Sequence, residues 1–192
     1  ELRPEQPIIA AGSLLGIAMH RDDSFPVGKV DFMTLYPLSF CEFAEAMGEE
    51  LLIKQVKQQN WDLVTSHASR LEDLLRKYYY IGGMPEVVNA FVQVRTIQQT
   101  ILDSYDRDFS KHAPINEVPR IRMVWRSVIG QLAKENKKFI YGFLKKGARA
   151  KDFEMAITWL PDAGVAYKVH RTKTAKLPSS AYEDFSAFKL YL

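Results

Sequence analysis

Between Ser39 and Ala113 the chain contains no stretch that reads as a strand. What recurs there is the three-to-four-residue step of a helix, punctuated by glycine and proline. In "LSFCEFAEAMG", Ser39 is placed to cap the free backbone N–H groups, Glu42 to reach back three residues, and Gly48 to stop the helix. "HASRLEDLLRKYYYIGG" sets Leu71, Leu74, Leu75 and Tyr78 at helical spacing and ends on Gly82-Gly83, the usual left-handed stop. Pro85 suits the first helical position of "PEVVNAFVQV". "RTIQQTILDSYDRDFSKHA" repeats apolar residues at Ile97, Ile101, Tyr105 and Phe109, and Pro114 closes the block. Residues 39–113 are therefore expected to be all-helical, so any sheet must come from the two ends.

At the first end, "IIAAGSLLGIAMHR" (8–21) begins as a small, apolar, β-branched run that turns at Gly12-Ser13, the pattern of a buried strand in a parallel sheet. "VDFMTLY" (30–36) reads as a second strand, ended by Pro37. Beyond residue 114 come an amphipathic helix, "NEVPRIRMVWRSVIGQLAKE", a short aromatic element, "KFIYGFLKK", and a further helix, "ARAKDFEMAITWLPDAG". Two strand candidates follow, "VAYKVHRT" and "DFSAFKLYL", joined by a Pro/Ser/Lys-rich connection. Helix, short element, helix and two-stranded ribbon is the order of a winged helix. The expected fold is mostly α with minor β, in three parts: 1–38, 39–113 and 114–192.

With 192 residues, 47% of them hydrophobic, the chain can bury one good core or two small ones. Its net charge of +3 is too mild to demand a polyanionic partner, so the distribution of charge must decide that point. The single cysteine, Cys41, excludes an internal disulfide framework and a multi-cysteine zinc site, which makes a reducing compartment the default. The opening apolar segment is far shorter than the ~20 residues that span a bilayer, and it has neither the basic start nor the cleavage site of a secretory signal. A cytoplasmic protein without a membrane partner is expected.

A strand ending in Gly-Ser invites a search for a phosphate-binding loop. Only "VGKV", with Gly28 and Lys29, comes near, and it lacks the upstream glycine and the hydroxyl that would hold Mg²⁺. The segments "IIAAGSLLG", "FPVGKVDFMTLYPLSFCEF", "YYYIGGMPEVV", "ILDSYDRDFSKHA", "LAKENKKFIYGFLKKGARAKDFEMAITWLPDAGVAYKV" and "SAFKLYL" nevertheless occur in an order that resembles a bacterial and archaeal family of AAA-type P-loop ATPases carrying a C-terminal domain of unknown function. The resemblance covers nearly all of the chain. It implies that the chain is a piece of a longer protein: residues 1–38 the remnant of the ATPase sheet, 39–113 a helical lid, and 114–192 a winged helix leading toward a nuclease-like domain. The loop and acidic strand that bind ATP and Mg²⁺ would lie in a missing N-terminal half, so no cofactor is expected for this chain alone. In that pattern Ser13 stands where a polar residue senses the γ-phosphate, and Arg21 and Lys29 are candidates for nucleotide or subunit contacts. "GGMPEVV" becomes either an anion-facing helix start or a tight turn between packed helices.

Other constellations carry less chemistry. Asp103, Asp106 and Asp108 alternate with Arg107 and Lys111 at spacings that surface pairing explains, and no metal site is expected. His20, His67, His112 and His170 have no second ligand three or four residues away. The basic cluster is more informative. From Lys134 to Lys151 there are seven cations (Lys134, Lys137, Lys138, Lys145, Lys146, Arg149, Lys151) against one acid, Glu135, with Phe139, Tyr141 and Phe143 interleaved. In a winged helix, Arg149 and Lys151 would begin the recognition helix, and Arg171, Lys173 and Lys176 would lie on the wing. Three functions follow as alternatives: part of a nucleotide-driven ATPase switch, a non-enzymatic module for duplex DNA, or a protein-interaction adaptor. Strands without neighbours expose unpaired edges, so a homo-oligomer sealed through the sheet edge is a further expectation.

Overall fold

The computed structural model describes residues 7–9, 11–12, 31–90, 93–135 and 138–192. Among the described residues the fold is mostly helical with one small antiparallel sheet. The chain divides into two compact units, a helical one that ends at Tyr105 and a mixed one that runs from Asp106 to Leu192.

The helical unit is organised by its helix ends. Ser39 accepts the Glu42 N–H and Glu42 accepts the Ser39 N–H, at 3.4 and 2.8 Å, so two backbone donors at the start of α1 (Phe40–Ala46) are satisfied reciprocally. Gly48 at φ 87° turns the chain into α2 (Glu50–Lys57), followed by α3 (Trp61–Ser66) and α4 (Ala68–Ile81). α4 ends at Gly82, whose φ of 82° and ψ of −176° lie outside the left-handed helical well expected there, in a region essentially reserved for glycine. Pro85 then opens α5 (Pro85–Asn89), and α6 (Val94–His112) follows. Phe43, Ile81, Val87, Val88 and Val94 form one buried cluster, and Ala44, Ile53 and Leu74 a second, bridged by Met47.

In the mixed unit, Phe109 at the end of α6 is buried edge-on against Trp125 and Trp159, with ring centroids 5.5 and 5.6 Å apart. Trp125 belongs to α7 (Val118–Leu132), whose buried positions Val118, Ile121, Val124, Ser127, Val128 and Gln131 recur every three or four residues. A 3-10 turn at Tyr141–Phe143 and another at Ala150–Asp152 lead into α8 (Glu154–Asp162). The strands β1 (Tyr167–Thr172) and β2 (Glu183–Tyr191) pair antiparallel, from Tyr167 opposite Tyr191 to Thr172 opposite Glu183, with an irregularity between His170 and Arg171. The Phe139 N–H donates to the Phe188 carbonyl at 2.7 Å, and their rings stack 5.4 Å apart, so the segment before Tyr141 lies along the other edge of β2.

The strands expected at the start of the chain are not formed in the described residues. Residues 7–9, 11 and 12 and residues 31–36 are irregular and exposed, Ile9 almost completely. Alternation in sequence suits a strand, but a strand exists only where another backbone takes up its hydrogen bonds, and 31–36 has no ladder in the described residues. Ser13, Arg21 and Lys29 lie outside the described residues, as does Lys137. The expected recognition helix also starts later than its sequence suggests. Arg149 and Lys151 fall in the 3-10 lead-in, because Phe153, buried at φ −128°, separates that turn from α8.

Candidate functional site

The basic cluster resolves into parts with different surroundings. The ammonium group of Lys134 sits 4.5 Å above the ring of Phe143, and that ring lies against Gly130 one helical turn earlier, where an added Cβ would come within 3.0 Å of it. Lys134 and Gly130 thus hold the first 3-10 turn on α7, and Lys134 is engaged in cation–π attraction. Lys138 lines a small recess with Lys189, Phe139 and Gln131. Lys145 and Lys146 occupy a reverse turn closed by the Ala148 N–H on the Lys145 carbonyl at 3.0 Å. Gly147 at φ 78° is its third residue, the position where a type II turn needs glycine. Arg149 and Lys151 follow at once, the Arg149 N–H donating to the Asp152 carboxylate at 3.1 Å. All four side chains from Lys145 to Lys151 are exposed.

Arg120, Arg122, Arg126 and Arg171 in this unit are paired in place. Arg122 grips both oxygens of Asp106 at 2.8 and 2.6 Å and also reaches the Ser110 hydroxyl at 2.8 Å, while Arg126 stands 3.8 Å from the same carboxylate. Arg120 pairs with Glu117. Arg171, expected on a nucleic-acid-facing wing, is held by Asp184 on the facing strand. By contrast, among the described residues no carboxylate lies within 4.0 Å of the cationic group of Lys138, Lys145, Lys146, Arg149 or Lys151. The wing connection carries exposed Lys173 and Lys176 as well.

The ribbon holds a polar cluster that periodicity does not reveal. Asp184, 9% exposed, accepts from the Ser186 hydroxyl and N–H at 2.5 and 3.0 Å and from Arg171. These hydrogen bonds, those from Ser186 first, hold its carboxyl well below the usual carboxylate range. Beside it, His170 lies 3.6 Å from Glu183 and edge-on to Phe185 and Phe188. The one available signal was the spacing of Arg171 and Asp184 about the ribbon's connection. Near α8, burial and the neighbouring Glu154 carboxylate push the Tyr141 phenol up, so it stays neutral over the physiological range.

"GGMPEVV" is a packed turn. The Leu38 N–H donates to the Gly83 carbonyl at 2.7 Å, and the Tyr78 hydroxyl donates to the Leu38 carbonyl at 2.8 Å. Two of the three aspartates of α6 go to neighbours: Asp103 accepts from Gln99 at 2.8 Å and Asp106 takes Arg122.

A family model described as "Domain of unknown function (DUF8612)" matches residues 72–192. The chain belongs to that family. The DUF8612 match begins within α4 and contains the whole Lys145–Lys151 segment and the ribbon. No curated protein and no solved structure matches the chain.

Proposed function

We propose that the unit from Asp106 to Leu192 is a winged-helix module that holds duplex DNA, with the Lys145–Lys151 segment as its principal phosphate contact and Lys173 and Lys176 on the wing as a second. One observation carries this reading. The unit neutralises Arg120, Arg122 and Arg171 on its own carboxylates yet, among the described residues, leaves Lys145, Lys146, Arg149 and Lys151 exposed without one. Exposed lysines of this kind are what a polyanion uses for affinity, through counterion release. The order α7, short turn, α8, β1, β2 is that of a winged helix, in which the entry to the second long helix meets the backbone of DNA.

The test is fluorescence anisotropy with a labelled duplex of about 20 base pairs at about 50 mM salt, where phosphate contacts are strongest. The native chain binds, K145E/K146E/K151E weakens binding by about tenfold or more, as expected for three reversed phosphate contacts, and K54E in the helical unit leaves it unchanged. Equal affinity of the triple variant and the native chain would overturn the assignment.

The resemblance to AAA-type ATPases supports a second reading at the level of the whole gene product. In it a P-loop half binds ATP and Mg²⁺ in the cytoplasm, Ser13, Arg21 and Lys29 approach the phosphates, and the DNA-contacting unit follows the nucleotide state. Failure of the full gene product to bind ATP with Mg²⁺ removes that reading and leaves the DNA assignment standing.

A further inference from the structure

The helix that follows the basic segment presents a different chemistry. Phe153, Ala156, Ile157, Trp159, Leu160 and Ala163 turn inward, so the outward positions of α8 are Glu154, Met155, Thr158 and Asp162. Met155 is 53% exposed. Glu154 and Asp162 lie eight residues apart, about 12 Å along the axis at the helical rise. The outward stripe therefore carries a carboxylate at each end. Neither has a cation within 4.0 Å among the described residues. Thr158 donates its hydroxyl to the Glu154 carbonyl at 3.0 Å, which commits that proton within the helix.

Base readout in the major groove rests chiefly on Arg or Lys against guanine and Asn or Gln against adenine, with Glu or Asp accepting from cytosine and Ser or Thr bonding to either. The outward stripe of α8 has no Arg, Lys, Asn or Gln, and its Thr158 proton is committed to the Glu154 carbonyl, which leaves a cytosine contact by Glu154 or Asp162 as its polar route to a base. Its two carboxylates would have to enter a groove walled by phosphates, where like charges oppose close approach. The four cations of the lead-in precede this stripe, so positive charge is confined to the entry of the helix.

We infer that this unit holds duplex DNA of any sequence through its phosphate backbone, with α8 kept out of base contact by Glu154 and Asp162. The inference rests on the DNA-binding reading above and sharpens it: the ligand is the phosphodiester backbone, and position on the duplex is set without base contacts from this helix.

The experiment compares the full chain on several duplexes of equal length and unrelated sequence, then repeats the series with E154Q/D162N, two near-isosteric changes on an exposed face. Native affinities agree within about threefold across the series, where one base-specific contact would be worth roughly fivefold or more. E154Q/D162N binds every duplex about threefold or more tightly, as expected when two like charges near phosphates are removed. A preference of tenfold or more for one duplex overturns the inference and leaves DNA binding intact. Unchanged or weaker binding by E154Q/D162N overturns it too. If the native chain binds no duplex at about 50 mM salt, the DNA-binding reading itself has failed, and the inference falls with it.

Discussion

Gly83 shows how narrowly single residues are specified. A Cβ there would stand 2.3 Å from the Leu38 carbonyl oxygen and 3.0 Å from its nitrogen, both backbone atoms that cannot rotate aside. Gly83→Ala is therefore expected to destabilise the helical unit by about 2 kcal/mol, the scale of forced overpacking, read as a lower urea midpoint. Sequence marked this glycine as part of a helix stop, whereas its constraint comes from a segment some forty-five residues away. Asp184 was equally hidden, because its partner depends on a register set by the irregularity after His170. Its carboxyl is held below its ordinary value in the fold, so its stabilising effect is complete above the unfolded value, about 3.9. It fades as pH falls from there toward the folded value. Between about pH 5 and pH 2.5 the native chain should lose more stability than Asp184→Asn, compared by urea melts at each pH. Equal losses would contradict the assignment.

At the scale of elements, helices were legible because cap, stripe and stop reinforce one another within a few residues. The reciprocal cap at Ser39 and Glu42 and the proline start of α5 are local events, and so they could be read directly. The expected strands at 8–11 and 30–36 are not formed in the described parts of those segments, because pairing is not local. α7 carried a subtler departure, since its inward stripe includes two polar residues, Ser127 and Gln131. The Gln131 amide donates to the Ser127 hydroxyl at 3.1 Å and its oxygen accepts the Ile140 N–H at 2.8 Å, while the Ser127 hydroxyl donates to the Val124 carbonyl at 2.7 Å. This chain of bonds fixes the segment beside β2 to the middle of the mixed unit. Gln131→Ala strands the Ile140 N–H and should lower stability by about 1 to 3 kcal/mol, again by denaturant titration. A neutral result would mean that water replaces the amide.

At the scale of the whole molecule, the helical block and the helix-turn-ribbon order were legible in the sequence, while the division between the two units falls between Tyr105 and Asp106, within the residues of α6. Nothing in the apolar step of α6 announces that division. It follows from where its partners lie: Ile97 and Ile101 pack on the cluster around Phe43, while Phe109 packs on Trp125 and Trp159. The basic cluster was visible as a count of charges, but the count could not separate used cations from unused ones. The structure assigns Lys134 to a ring and Arg171 to Asp184, and among the described residues it leaves Lys145, Lys146, Arg149 and Lys151 without a carboxylate partner. The central claim is that these four meet phosphates, and the salt dependence of duplex binding tests it most directly. Four phosphate contacts from this segment and two from Lys173 and Lys176 predict a slope of log affinity on log salt of about −5.4, falling in magnitude to about −3.6 when Lys145 and Lys146 are replaced by alanine. A slope near zero, or one indifferent to those two replacements, would contradict it.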